Sequence, residues 1–150
     1  MTYATRADIE TIYGGDELRS ALNLAADAEL SAGDTARVDQ ALTETAGQID
    51  AYVGVRYTLP LAIVPEMLKA SAVDMTLYRL ALRNGRPRDE LRKRFEDAVA
   101  FLKALAEGKA RLAGIDTPGA AIAGAGSGSS GGVAIVSGPR RFDRDTEGLT

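Results

Sequence analysis

The 150-residue chain contains no cysteine and no histidine. Their absence excludes a disulfide framework, a thiolate nucleophile and a Cys/His zinc site. It also excludes Ser-His-Asp and Cys-His catalysis, which use an imidazole as base. Tryptophan is absent and aromatic residues make up 5% of the chain, too few for a base-stacking platform. Neither sign of charge dominates: 18 Lys and Arg against 21 Asp and Glu leave a net charge of -3, which argues against a basic duplex-binding stripe. No apolar run approaches the roughly 20 residues of a transmembrane helix. The opening MTYATRADIE is polar and charged and does not read as a signal peptide. A chain of this size buries roughly 68–70% of its unfolded surface and needs no staples to fold. These exclusions leave a soluble intracellular or particle-associated protein. They favour a binding or structural component without cofactor over an enzyme.

What is present is helical spacing of apolar residues through residues 1–108. Thr5, with Asp8 three residues later, predicts a capped helix over 6–13 that carries Ile9 and Ile12 inward and stops at Gly14-Gly15. Residues 16–33 are ambiguous, although Leu18, Ala21, Leu22 and Leu24 allow a short helix. Asp34 is the expected N-cap of a helix over 35–54, with Val38, Ala41, Leu42, Thr45, Ile49, Tyr52 and Val53 on its apolar face. Gly47 on or near that face predicts close contact with another helix. VRYTLPLAIV at 55–64 contains Pro60 and reads as an extended connector that packs across helices, not as a central strand. Pro65 suits the first turn of a helix to about Leu82, with Leu68, Ala72, Met75, Tyr78 and Leu82 inward and Asn84-Gly85 as its stop. Pro87 is expected to open the last helix, over 87–107, burying Leu91, Phe95, Ala98, Val99, Leu102, Leu105 and Ala106 before Gly108. Its pairs Asp89/Lys93, Glu90/Arg94, Arg92/Glu96 and Lys93/Asp97 read as a solvated face, with an interface to a charged partner as the minor reading.

Composition changes after Thr117. PGAAIAGAGSGSSGG at 118–132 has six glycines and no charge, the make-up of a flexible linker. The expected fold class is therefore all-α: a small bundle of about four helices with an extended connector, then a Gly/Ser linker and a short β-prone tail. Residues 1–116 form the helical domain, 117–132 the linker and 133–150 a docking tail. In that tail Val133 and Ile135 suit strand addition. Arg140, Arg141 and Arg144 offer forked donors, and Phe142 offers an apolar anchor.

Other motifs have duller readings. Gly126-Ser-Gly128-Ser-Ser-Gly131 spells a dinucleotide fingerprint but lacks the preceding strand and following helix that hold a pyrophosphate. Asp50, Asp74 and Asp97 sit beside apolar residues and could run acid–base chemistry. A structural role is expected instead: Asp50 and Asp74 pair with Arg56 or Arg79 at the core edge, or cap the exposed NH groups of a connector. Asp143 and Asp145 are too few oxygens for calcium. The tyrosines are expected as core-edge anchors with their hydroxyls at the surface.

Three runs act together: IDAYVGVRYTLPL at 49–61, DMTLYRL at 74–80 and KRFEDAVAFLKALAEGKARL at 93–112. With the opening YATRADIETIYG and the ending GPRRFDRDTEGL, they resemble the head–tail connector family of Mu-like phages and prophages. The resemblance implies a small all-helical adaptor of the virion neck, assembled in the host bacterial cytoplasm and without enzymatic activity. It implies a ring, generally dodecameric, that binds the portal protein above, neighbouring copies at each side and a tail-completion or stopper protein below. DNA would pass its lumen without specific binding, and no membrane is involved. By the same resemblance Asp50, Tyr52, Arg56, Tyr57, Leu59 and Pro60 are structural residues of the first run. Asp74 and Tyr78 take that role in the second, and Phe95 and Asp97 in the third. The competing expectation is a free-standing cytoplasmic helical module whose tail captures a partner.

Overall fold

Two of the helices begin with the same device. In α1 (Arg6–Tyr13) the Thr5 hydroxyl accepts the Asp8 amide at 3.3 Å while the Asp8 carboxylate accepts the Thr5 amide at 2.8 Å. In α3 (Ala32–Val53) Ser31 and Asp34 do the same, at 3.1 and 3.2 Å. The N-cap is thus Ser31, not Asp34, and the helix starts three residues earlier than the spacing predicts. A reciprocal box satisfies two free amides where a lone Asp satisfies one. The hydrogen bonds from Thr5 and Ser31 hold the Asp8 and Asp34 carboxyls below the usual aspartate range.

The computed structural model describes residues 1–113 and residue 115. Among these the order is α1, α2 (Gly15–Ala21), α3, α4 (Glu66–Arg83) and α5 (Asp89–Ala106), with no strand. The fold of the described residues is all-α. Residues 16–33, ambiguous in sequence, resolve into the seven-residue α2 and a loop. Gly14, at φ 85°, ends α1 and starts α2 in a conformation an L side chain resists. Pro87 lies two residues ahead of α5, whose N-cap is Arg88. Asn84 ends α4, and Gly108, at φ 79°, follows α5 in the left-handed conformation expected of a C′ residue. No described helix is long and apolar enough to cross a membrane.

α4 occupies the middle and packs on every other helix. Leu68, Ala72, Val73, Met75, Leu77, Leu80 and Ala81 are all buried, so it is covered on more than one side. Leu82 is the exception to its predicted face, 52% exposed at the last turn. Ile12 is likewise 41% exposed, whereas Ile9 is fully buried. Ile49, Leu91, Leu102 and Leu105 complete the centre. Leu42 and Phe95, expected among them, are only partly buried. Phe95 stands at the edge, its ring 4.8 Å from that of Tyr78. Gly47 is not a helix contact: a Cβ there would meet nothing within 4 Å. Polar groups lock α3 to α4. Thr76 donates to the Ala72 carbonyl at 2.7 Å and lies 3.2 Å from Thr45, Arg79 donates to Gln48, and Arg83 pairs with Glu44.

The connector from Gly54 to Pro65 is a run of turns and bends rather than an extended strap. The amides of Gly54, Arg56 and Tyr57 still bond to the last α3 carbonyls, at 2.9 to 3.1 Å, which curls the chain back. Tyr57 and Leu61 are buried by it, and the Leu59–Pro60 bond is cis.

Candidate interaction site at the connector

α3 delivers Asp50 in its last full turns, and the carboxylate does not pair with Arg56 or Arg79. It accepts the Tyr3 hydroxyl at 2.6 Å and the Met1 ammonium at 2.9 Å. Asp74, in mid-α4, accepts the Tyr13 hydroxyl at 2.6 Å. The expected Asp–Arg pairs are thus replaced by Asp–Tyr pairs. The reason is reach: the first thirteen residues fold back over α3 and α4 and bring tyrosine hydroxyls within hydrogen-bond distance of carboxylates that neither Arg56 nor Arg79 pairs with. The predicted surface hydroxyls are accordingly turned inward at Tyr3, Tyr13 and Tyr57. Burial and the Asp50 bond push the Tyr3 phenol well above its ordinary value. Burial and Asp74 push Tyr13 to about 12. Burial raises Asp74 itself, against the opposing Tyr13 hydrogen bond and the nearby Arg94. The Arg94 guanidinium lies 4.6 Å above the Tyr13 ring and pairs with Glu90.

The ten structural residues separate into two groups. Asp74, Tyr78, Phe95 and Asp97 lie along α4 and α5, with Asp97 exposed. Asp50, Tyr52, Arg56, Tyr57, Leu59 and Pro60 gather at the end of α3 and in the connector. There the Tyr57 hydroxyl accepts the Leu112 amide at 3.0 Å, tying the chain after α5 to the connector. The Arg56 guanidinium lies over Gly108, where a Cβ would collide with it. Leu59 is partly buried and Pro60 exposed. Val133, Ile135, Arg140, Arg141, Phe142 and Arg144 lie outside the described residues.

The connector also carries apolar surface that the bundle does not cover. Val55 is 66% exposed and Ile63 69%, and Met67, in the first turn of α4, is 59% exposed. Side chains of this size left in water mark interaction sites when they share one region. The sequence of VRYTLPLAIV reads as packing across helices; that Tyr57 and Leu61 are buried while Val55 and Ile63 on either side of them are exposed follows from the bends.

A concavity, missed from sequence, lies between residues 1–6 and α3, with a volume of about 530 Å³. Gly47 opens it, which is why that glycine touches no helix. Asp39 and Asp50 both line it. They are eleven residues apart on one helix, about 16 Å along its axis, beyond the roughly 5–9.5 Å that paired-carboxylate chemistry uses. Among the described residues no group of three or more acidic side chains is arranged to hold a metal.

Comparison with known proteins places these features in context. The family model described as "Bacteriophage Mu, Gp36" matches residues 3–129. The Mu-like prophage FluMu protein gp36 of Haemophilus influenzae is 37% identical over 79 residues, 53% of this chain and 55% of that protein. The chain thus spans about half the length of that relative. Gene product J of Escherichia phage Mu is 29% identical over 111 residues, covering 73% of this chain and 74% of that one.

Proposed function

The chain belongs to the Bacteriophage Mu Gp36 family, and from that premise we propose that it is a head–tail connector. In this reading it is a structural protein of the virion neck. It stands as a ring under the portal and joins the DNA-filled head to the tail. The observation that supports the reading most is the family match itself, which runs from residue 3 through the entire helical body. The fold is compatible with it in two respects. Its core is closed by its own helices, so copies can be assembled as finished parts. Its connector leaves Val55 and Ile63 uncovered, and the first turn of α4 leaves Met67 so, which suits a protein that works by contact.

The partners of this reading are the portal protein, neighbouring copies and a tail-completion or stopper protein. The C-terminal docking tail would use Val133, Ile135, Arg140, Arg141, Phe142 and Arg144.

Mass spectrometry of purified phage particles tests the assignment. The chain is expected at the copy number of the portal. Its absence from particles, or its presence at a copy number unrelated to the portal, overturns the reading.

A further inference from the structure

Two ends of the described bundle carry surface that the described residues do not pair or cover. At the connector end the apolar Val55, Ile63 and Met67 are accompanied by Arg56, Lys103 and Arg111. These three cations form no ion pair among the described residues. α4 and α5 are joined by a five-residue turn and pack together, which brings the end of α5 beside the connector. The Arg56–Gly108 and Tyr57–Leu112 contacts fix that juxtaposition. Two helix C-termini at this end account for part of the cationic charge. They do not account for three large apolar side chains left in water.

The opposite end holds the α2–α3 loop, residues 22–31. Asp27 and Glu29 there are exposed and form no ion pair among the described residues. Ala25 and Ala26 are exposed beside them. The loop is held in place, because Arg19 donates to the Ala28 carbonyl at 3.0 Å and Leu24 and Leu30 pack on the core. It therefore presents two carboxylates and two methyl groups on a fixed support.

The loop and the connector sit before and after α3, which has 22 residues. That length is about 33 Å, so the two surfaces cannot meet within one copy. They are complementary in sign and both are partly apolar. We propose that the α2–α3 loop of one copy docks on the connector end of a second copy. Asp27 and Glu29 face Arg56, Lys103 and Arg111, and Ala25 and Ala26 cover Val55, Ile63 and Met67. This contact is heterologous, since it joins different patches, and it propagates to a ring when its rotation closes. It deepens the connector reading and rests on it in requiring copies to stand side by side.

The absence of cysteine makes the test direct. Ala26→Cys and Ile63→Cys are placed in separate full-length chains, mixed and oxidised. Circular dichroism confirms that each keeps its helicity. The mixed disulfide is expected to accumulate many-fold faster than with a Glu96→Cys control on the exposed side of α5. Reversing Asp27 and Glu29 to Lys in the first chain should reduce trapping to the control rate. So should reversing Lys103 and Arg111 to Glu in the second. Mixing the two reversed chains should restore it. Trapping at the control rate, or no restoration in the reversed pair, overturns the contact. The particle experiment is separate: a chain present in particles that fails to cross-link leaves the connector reading intact and removes this contact alone. A chain absent from particles that does cross-link removes the connector reading and leaves the contact standing.

Discussion

A carboxylate withdrawn from water needs donors, and in this chain tyrosine hydroxyls supply them. Asp74 has the clearest consequence. It accepts from Tyr13, lies near Arg94 and Asp97, and its pKa is raised chiefly by burial. The folded chain therefore holds this proton more tightly than the unfolded chain. Stability from the group is full below the ordinary value of 3.8 and is lost as pH rises from there through the raised folded value. Asp74→Asn keeps an acceptor for Tyr13 and removes the titration. Urea unfolding across the acidic range should show the variant gaining on the parent as pH rises; parallel curves would mean that Asp74 titrates normally. Burial also ranks two core substitutions. Leu102 is 0% exposed, so Leu102→Ala should cost about 2–5 kcal/mol. Phe95 is half-buried against Tyr78, so Phe95→Ala should cost about 1–2 kcal/mol, below the range for a fully buried phenylalanine. Chemical denaturation that reverses this order would show that Phe95, not Leu102, holds α5.

At the scale of the helix, two substitutions in α3 separate its start from its flank. Ser31→Ala removes the cap and should cost about 1 kcal/mol, whereas an Asp34 cap would leave Ser31 neutral. Gly47→Ala meets open space inside a helix and should stabilise by roughly 0.5–1 kcal/mol. A loss of stability would mean that a neighbour does press on Gly47. These sites also show what could be read in advance. α1, α4 and α5 were legible because their apolar residues repeat at helical spacing and their stops are Gly or Asn, signals carried by the local chain. α2 was not, because seven residues beginning at Gly15 give too short a period to recognise. The start of α3 was displaced because Ser31 and Asp34 are both good caps, and only the reciprocal pairing decides between them. Tyr13 and Asp74 are sixty-one residues apart, so no local pattern announces their bond. The uncovered side chains of the connector were hidden for a related reason. Whether Val55 faces in or out depends on amides bonded back to α3, not on its own hydropathy.

For the molecule as a whole, the core of the described residues runs from Tyr3 to Leu112 and draws on all five helices. Deleting residues 118–150 should leave helicity and melting temperature nearly unchanged while weakening attachment to portal. A truncated protein that still occupies the neck and supports infectious particles would show the tail to be dispensable. α4 has a different kind of consequence. It touches α1, α2, α3 and α5, so no single peripheral helix can detach and lay it bare. Its amides must wait for the rarest and most complete openings, while α1, resting mainly on α2 and α4, can lift away cheaply. In deuterated water the molecule should therefore keep time in layers. α1 would take up label first, and the stretch from Val73 to Leu77 would hold its protons until the entire bundle comes apart.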